Sequence, residues 1–350
     1  MTTNTWFRQI FPTGLALIAG PCSAESEAQL MSTATSLRSL GVGVFRAGVW
    51  KPRTRPGSFE GVGTKALPWL SRVKREVGMK IATEVATPEH VEQALQHDID
   101  ILWIGARTTT NPFAVQEIAE ALRGTQVPVM VKNAMVPDVK LWCGAVERLQ
   151  NVGLCQIAAI HRGFSVLEET VFRNSPLWRI PIEFHRLMPN IPILCDPSHI
   201  AGKADLVPIV AQQALDMDFD GLMVEVHVQP DSALSDSTQQ LTPSAFSKLL
   251  GELQLKQPHS TNETALAQLR ADIDQLDTSL FRLLSERMKI VRKVGELKRR
   301  EGTPVLQSER YNQILQRRMQ EAEALGLSSD FVKRIMEIIH EEAVCQQLPK

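Results

Sequence analysis

Short runs of apolar residues alternate with amphipathic stretches along the first ~250 positions of the chain. The runs hold about four to eight successive apolar positions, and the stretches between them, such as EAQLMSTATSLRSL, have helical spacing. This pattern is typical of parallel strands that are covered on both faces. Eight runs occur, namely LALIAGPC, VGVFRAGVW, MKIATEV, DILWIGAR, VPVMVKN, LCQIAAIH, IPILCDPSH and GLMVEVHV. They predict an α/β fold with a (β/α)8 TIM barrel; an open doubly wound sheet is the alternative, but no glycine-rich dinucleotide fingerprint follows the first run.

The pattern changes after this region. Residues 253–263 lose hydrophobic periodicity and gain polar residues and a proline, which indicates a linker. From Leu266 onward apolar residues recur at helical spacing, and Pro304 ends this first helix. Two further helices are predicted at about 308–325 and 328–347. We therefore expect a barrel domain in residues 1–252 and an all-α, three-helix domain in residues 264–350.

Composition excludes several classes of protein. With 43% hydrophobic residues and a net charge of −1 the chain can bury large cores and lacks the basic surplus of a general nucleic-acid binder. The five cysteines are odd in number and widely spaced, so we expect no disulfide framework and a cytoplasmic location. LALIAGPC lacks the basic flank of a signal peptide, and no run reaches the roughly 18 residues of a membrane span. Neither nucleic acid nor membrane is an expected partner.

Charged groups and one thiol gather at the ends of the eight runs, where barrel enzymes carry their function. One set contains too many cations to share one mouth unless phosphate or carboxylate binds there: Arg46, Lys51, Arg53, Arg107, Lys132 and Arg162. A second set suits a divalent transition ion, with Mn²⁺ placed first and Fe²⁺, Co²⁺ and Zn²⁺ as alternatives: Cys22, His199, Glu225 and Asp236. Purely structural roles for Cys22 as a small buried residue and for His199 beside a helix cap remain open.

Seven motifs closely resemble the short type I beta group of 3-deoxy-D-arabino-heptulosonate-7-phosphate (DAHP) synthases: AGPCSAES, FRAGVWKPRTRPGSFEG, IGARTTTNP, VKN, IHRGF, CDPSHIAGK and EVHVQPDSALSD. The resemblance implies an enzyme that joins phosphoenolpyruvate to erythrose 4-phosphate. It implies four metal ligands, namely Cys22, His199, Glu225 and Asp236. It further implies a catalytic Lys51 and substrate-binding positions at Arg46, Arg53, Thr54, Glu84, Arg107, Lys132 and Arg162. His227 has either a supporting role beside the metal or a packing role.

A sister family that makes 3-deoxy-D-manno-octulosonate 8-phosphate is the nearest rival, because its barrel and mouth are similar. The sequence KPRT argues against it, since that family has a different, asparagine-containing sequence after the corresponding lysine. Its chains also lack a helical tail. The number of residues before the first run leaves no room for the small N-terminal regulatory domain of some relatives, so we expect the tail to regulate the barrel.

Two cations of the tail occupy the apolar stripe of its first helix. Arg287 lies between Leu280 and Val291 on that stripe, and Lys298 continues it, which is costly unless a ligand or partner neutralises them. The pattern LRADIDQLDTSLFRLLSERMKIVRKVGELK…PVLQSER…CQQ resembles the all-helical chorismate mutases. The resemblance implies conversion of chorismate to prephenate, with Gln307 binding substrate and a catalytic set of Arg270, Arg287, Lys298, Arg310 and Gln346.

Helix geometry adds an expectation about assembly. Arg270 and Arg287 are 17 positions apart (287 − 270), or roughly 25 Å along one helix, too far to grip one small molecule. We therefore expect a homodimer with shared sites. Gln307 and Tyr311 depart from the acidic residues usual in the family, so a non-catalytic module that senses chorismate or prephenate is the alternative. In either case prephenate or chorismate is the expected inhibitor of the barrel.

Overall fold

The computed structural model describes residues 5–12, 14–52, 57–167, 170–255 and 263–348, without the side chains of 263–265 and 323. The chain divides into two compact units, Met1–Gln257 and Pro258–Lys350. Most of the expected linker, at 256–262, lies outside the described residues. Each unit is described by itself below.

The first unit is a closed barrel of eight parallel strands in sequence order. Strand β1 pairs with both β2 and β8, for example through Ile18 opposite Val44 and Met223, and this closes the sheet. The strands are β1 Ala16–Gly20, β2 Val44–Arg46, β3 Lys80–Val85, β4 Ile101–Ile104, β5 Val129–Lys132, β6 Ile157–His161, β7 Ile193–Cys195 and β8 Gly221–Glu225. The predicted barrel is confirmed.

Side-chain alternation explains why four charged residues point into the barrel at its carboxyl end. Successive residues of a strand face opposite sides, so the last residue shares the face of the residue two positions earlier. Val44, Ala82, Met130 and Met223 pack together in the interior cluster. On each of these strands, the residue two positions later therefore also faces inward, at or next to the strand end. These residues are Arg46, Glu84, Lys132 and Glu225.

The helices of the first unit supply the outer layer, and apolar residues of strands and helices form one continuous core between them. Four of these helices begin with a capping side chain followed by proline, as in Asn111–Pro112 and Asp196–Pro197. The helices are α1 Thr5–Ile10, α2 Glu27–Ser39, α3 Leu67–Val77, α4 Pro88–Gln96, α5 Ala106–Thr109, α6 Pro112–Ala121, α7 Val139–Asn151, α8 Arg179–Leu187, α9 Pro197–Ala201, α10 Val207–Asp216 and α11 Pro243–Glu252.

Helix α1 was not anticipated from the pattern of apolar runs. Its Trp6 and Phe7, together with Phe11, are buried in the same cluster as the interior strand residues Ile18 and Ile101. The rings of Trp6 and Phe7 meet edge to face with centroids 5.4 Å apart. These aromatic side chains close the amino end of the barrel, which leaves the carboxyl end as the open one.

The second unit consists of three helices, as predicted: α12 Glu263–Glu301, α13 Ser308–Ala324 and α14 Ser329–Gln347. The 39 residues of α12 extend about 58 Å. Helix α14 packs closely on α12 at Gly295, where an added Cβ would lie 3.0 Å from the Cα of Gln347. No helix among the described residues is long and apolar enough to cross a membrane.

Candidate active sites

Three of the four expected metal ligands converge at the carboxyl end of the barrel. Cys22 follows β1, Glu225 ends β8 and Asp236 lies in the loop after β8. Their ligand atoms lie within 4.8 Å of one another. The Sγ of Cys22 is 3.3 Å from Oδ2 of Asp236, although 214 positions separate the two residues.

His199, the fourth expected ligand, adjoins this group. Its Nδ1 is 2.8 Å from Oδ2 of Asp196 and 3.8 Å from Oε1 of Glu225. Asp196 caps helix α9 by accepting a hydrogen bond from the backbone N–H of His199. The Asp196 carboxylate thus lies against Nδ1, and a carboxylate beside the imidazole is usual around metal-binding histidines.

The donor set fits a divalent ion. A thiol, an imidazole and two carboxylates suit the borderline and harder transition metals. Oε1 of Glu225 is fully buried and accepts no hydrogen bond among the described residues, so this oxygen keeps lone pairs that an ion could use.

Arg46 and Lys51 pack against the same group. One guanidinium nitrogen of Arg46, Nη1, lies 3.3 Å from Oε1 of Glu225, and the other, Nη2, donates to the carbonyl oxygen of Cys22 at 3.2 Å. The Nζ of Lys51 lies 3.1 Å from both the carbonyl oxygen and the Sγ of Cys22. The guanidinium of Arg46 also stacks over Trp103, 4.9 Å from the ring centroid. Arg46 thus contacts the ligand group itself, whereas Lys51 also reaches the open pocket.

A pocket opens above these residues, and we call it the mouth pocket. It is lined by Lys51, Pro52, Glu84, Gly105, Ala106, Arg107, Lys132, Arg162, Arg173, His199 and Asp236. The sequence-predicted cations Arg107, Lys132 and Arg162 therefore face one space together with Lys51. Such a concentration of positive charge is suited to phosphate and carboxylate groups.

Buried partners hold the mouth-pocket cations in place. Lys132 Nζ is 2.7 Å from Oδ2 of Asp196. Arg162 donates to the side-chain oxygen of Asn174 at 2.9 Å, and burial lowers the pKa of its guanidinium to about 10. Glu84 accepts from the indole N–H of Trp103 at 3.2 Å. An added Cβ at Gly105 would lie 2.0 Å from Oε1 of Glu84, so a larger residue there would displace this carboxylate.

Burial and neighbouring charges oppose one another at the ligand residues. Burial and the charge of Glu225 raise the pKa of Cys22 to about 12. Burial would also raise the pKa of Asp236, but His199, Arg173 and Lys51 lower it well below its usual range. Burial lowers the pKa of His199, and the charge of Asp196 opposes this shift.

Several contacts at this end escaped the sequence reasoning. Arg173 donates to Oδ1 of Asp236 at 2.9 Å, and Asp196 bridges Lys132 and His199. Arg173 lies in a loop with no strand end to mark it, whereas Asp196 directly precedes a Pro-Ser-His sequence and could have been found as a helix cap.

Three other expected positions have different outcomes. Arg53 and Thr54 lie outside the described residues. His227 accepts a hydrogen bond at Nδ1 from the backbone N–H of Gln229 at 2.9 Å, and its Nε2 lies 4.0 Å from Glu25. Its ring thus contacts Glu25 and Gln229, beside the ligand group rather than in it.

In the helical unit, two of the expected cations lie close to α14. Nη1 of Arg287 is buried without a hydrogen-bond partner among the described residues, and burial lowers the pKa of this arginine. The Nζ of Lys298 donates to the carbonyl oxygen of Val305 at 2.8 Å. Burial and the positive charges of Arg287 and Lys298 lower the pKa of His340 on α14.

The remaining expected mutase residues are more open. Arg270, Gln307 and Arg310 are exposed in the single chain. Gln346 accepts from Arg292 at 2.9 Å and donates to Glu342 at 2.6 Å. Tyr311 stacks on His340 with ring centroids 4.0 Å apart. His340 was missed because a lone histidine on a helix has no distinguishing pattern.

Comparison with known families accounts for most of the chain. Residues 13–258 match the family model described as the DAHP synthetase I family. The chain belongs to this family. Residues 269–348 match the model described as chorismate mutase type II. The expected resemblance is confirmed for both parts, and so are the two enzyme classes.

Individual relatives agree with this assignment. The chain is 35% identical over 237 residues to a phospho-2-dehydro-3-deoxyheptonate aldolase of Thermotoga maritima, covering 68% of each chain. It is 27% identical over 269 residues to a 2-dehydro-3-deoxyphosphooctonate aldolase of Rhodopseudomonas palustris, covering 71% of this chain and 90% of that one. The crystal structure of a Thermotoga maritima DAHP synthase is similar with a TM-score of 0.61 at 33% identity, covering 69% of this chain and 68% of that chain. A truncated form of the Thermotoga maritima enzyme gives a TM-score of 0.58 at 31% identity, covering 69% and 86%.

Proposed function

We propose that this chain is a bifunctional, cytoplasmic shikimate-pathway enzyme with separate DAHP synthase and chorismate mutase domains, residues 1–252 and 264–350. The observation that carries the synthase half is the mouth pocket, where five cations line one space next to a thiol–carboxylate group suited to a metal. In the proposed reaction, the enol carbon of phosphoenolpyruvate bonds to the aldehyde carbon of erythrose 4-phosphate. Water then adds to the neighbouring carbon and inorganic phosphate leaves.

We assign the barrel residues by their position in the pocket. Arg107, Lys132 and Arg162 bind the phosphate and carboxylate of phosphoenolpyruvate, while Lys51 acts next to the reacting carbon. Arg46 supports the site from beneath, because it pairs with Glu225. Arg53 and Thr54 are the proposed contacts of erythrose 4-phosphate.

Cys22, His199, Glu225 and Asp236 would hold the divalent ion, with Mn²⁺ placed first. When bound, the ion would supply Lewis acidity at the aldehyde oxygen. Asp196 orients His199 for this role and at the same time fixes Lys132, so that it links the ligand group to the phosphate-binding cations.

In the helical domain the proposed catalytic groups are Arg270, Arg287, Lys298, Arg310 and Gln346. The rearrangement of chorismate needs no acid, base or nucleophile, so cations that clamp the carboxylates and donors on the ether oxygen are sufficient. Nη1 of Arg287 is buried and has no hydrogen-bond partner in the part of the chain that the structure describes, which supports an anionic guest. In the single chain, Gln346 is paired with Arg292 and Glu342, so substrate binding would require it to exchange these partners.

A homodimer through this domain completes the proposal. The apolar stripe of α12 is left exposed in the single chain, with exposures of 69% at Leu276 and 52% at Leu280. Stripes of this kind are usually covered by a partner. A second copy would cover the stripe and bring its own Arg270 to the site.

The test is a paired assay on the intact chain. Phosphate release from phosphoenolpyruvate should be faster with erythrose 4-phosphate than with arabinose 5-phosphate; preference for the pentose would reassign the barrel to the sister family. Chorismate loss in the same preparation tests the mutase.

The departures at Gln307 and Tyr311 favour a second candidate, a domain that binds chorismate or prephenate without converting it. Prephenate should inhibit the synthase in both cases, and unchanged synthase rates at saturating prephenate would refute regulation by the tail.

A further inference from the structure

The segment that carries Asp236 runs back along the end of β8 and ends in two adjacent glutamines. The backbone N–H of Leu241 donates to the carbonyl oxygen of Glu225 at 2.9 Å, and Leu241 in turn accepts from the backbone N–H of His227 at 2.9 Å. This pairing fixes the register of Gln239 and Gln240. Gln240 has extended backbone (φ −80°, ψ 136°). The two side chains make contacts with different ligand residues.

Gln240 joins the Cys22 segment to the Asp236 loop. Its Oε1 accepts from the backbone N–H of Cys22 at 3.0 Å, and its Nε2 donates to the carbonyl oxygen of Ser235 at 2.9 Å. The residue is only 2% exposed. One side-chain amide therefore ties the backbone of one candidate ligand to the residue just before another.

Gln239 links the other two candidate ligands, Glu225 and Asp236. Its Nε2 donates to Oε2 of Glu225 at 2.7 Å, and its Oε1 accepts from Nη1 of Arg173 at 2.8 Å. The same nitrogen of Arg173 donates to Oδ1 of Asp236. Gln239 is fully buried. It occupies Oε2, whereas Oε1 of Glu225 accepts no hydrogen bond from any residue that the structure describes.

We propose that Gln239 and Gln240 are positioning residues that set the spacing of Cys22, Glu225 and Asp236 for the ion. An amide donates and accepts at once, so each glutamine satisfies both of its partners, whereas an apolar side chain or a carboxylate satisfies fewer. Residues in this outer layer of a metal site typically change affinity by about 10–100-fold. The inference rests on the proposed metal-dependent function and adds two residues to it.

The test measures ion binding by the intact, metal-stripped chain rather than turnover. Free Mn²⁺ is followed by electron paramagnetic resonance for the wild type, Gln239→Leu, Gln240→Leu and the control Gln229→Ala, whose residue lies in the same loop but is exposed. Both leucine variants should bind Mn²⁺ about 10–100-fold more weakly, and the control should match the wild type.

Co²⁺ provides a second readout through its thiolate charge-transfer band. Gln240→Leu should reduce this band per bound ion because it releases the Cys22 backbone, whereas Gln239→Leu should retain it.

The outcomes separate the inference from the function on which it rests. Wild-type affinity in both leucine variants would overturn the positioning role while leaving the metal site intact. Absence of Mn²⁺ binding by the wild type would overturn the metal site itself. If a leucine variant unfolds, as judged by circular dichroism, Gln239→Asn and Gln240→Asn replace it. These keep the amide but are too short to reach both partners, so wild-type binding by them would equally refute the proposal.

Discussion

Oε1 of Glu225 lies 3.3 Å from Nη1 of Arg46, and both side chains are inaccessible to solvent. Removing the carboxylate would leave a buried guanidinium without its partner, at a cost of about 3–5 kcal/mol. Loss of activity in Glu225→Ala would therefore combine loss of a ligand with loss of stability. Glu225→Gln keeps the shape and one acceptor oxygen, so it should cost less stability than Glu225→Ala while still removing the charged ligand.

We expect Glu225→Gln to lower synthase activity by more than about 100-fold, since even outer-layer partners of a metal site cost 10–100-fold. Mutase activity should not change, because Glu225 belongs to the other unit. Measuring both rates in one preparation checks the prediction. An equal fall of the two rates would indicate misfolding.

Removal of metal should likewise abolish the synthase activity and leave the mutase activity unchanged. Synthase activity should disappear after treatment with a chelator and return with Mn²⁺, because the thiol–carboxylate group then regains its ion. The mutase should be indifferent, since its proposed residues are cations and amides. Full synthase activity in excess chelator would argue against the proposed metal site.

The proposed shared mutase sites make a prediction about mixed dimers. Arg270→Ala and Arg287→Ala should each be inactive alone. Co-refolded together, about half of the dimers are mixed and each mixed dimer has one complete site, which gives roughly one quarter of wild-type activity. Arg287→Ala with Lys298→Ala is the matched control. In the proposed dimer the same subunit contributes both of these residues to a site, so neither site of a mixed dimer is complete and no activity should return. Recovery in the control, or none in the first pair, would contradict shared sites.

His161 should make the barrel sensitive to acid. It is buried between Trp142, Phe164 and Trp178, and burial lowers its pKa from 6.5 to about 3. Between these values the unfolded chain binds the extra proton. The free energy of unfolding should therefore fall as the pH drops below 6.5, by at most about 1.4 kcal/mol per pH unit.

His161→Phe removes this proton uptake and preserves the aromatic packing. Denaturant titrations between pH 7 and pH 4 should accordingly show a shallower loss of stability in the variant than in the wild type. Parallel curves for the two proteins would indicate that His161 is protonated in the folded state as well.

The helices, the strands and the site residues that lie at the strand ends could be predicted from the sequence. The eight apolar runs correspond to β1–β8, and the helical spacing after Leu266 corresponds to α12, because burial periodicity is a local property. Cys22 and Glu225 could be grouped because barrel strands all end at one mouth. The roles of Arg173, Gln239 and Gln240 could not be found in this way. They depend on contacts between distant loops, which no local pattern records.

The placement of the tryptophans has a practical consequence for following the two domains. Tyr311 is the only tyrosine of the chain, and all six tryptophans, from Trp6 to Trp178, lie in the barrel unit. The protein thus carries a natural optical label for one of its two halves. Tryptophan emission reports the barrel alone, so unfolding of this domain can be observed in the intact chain without any added dye.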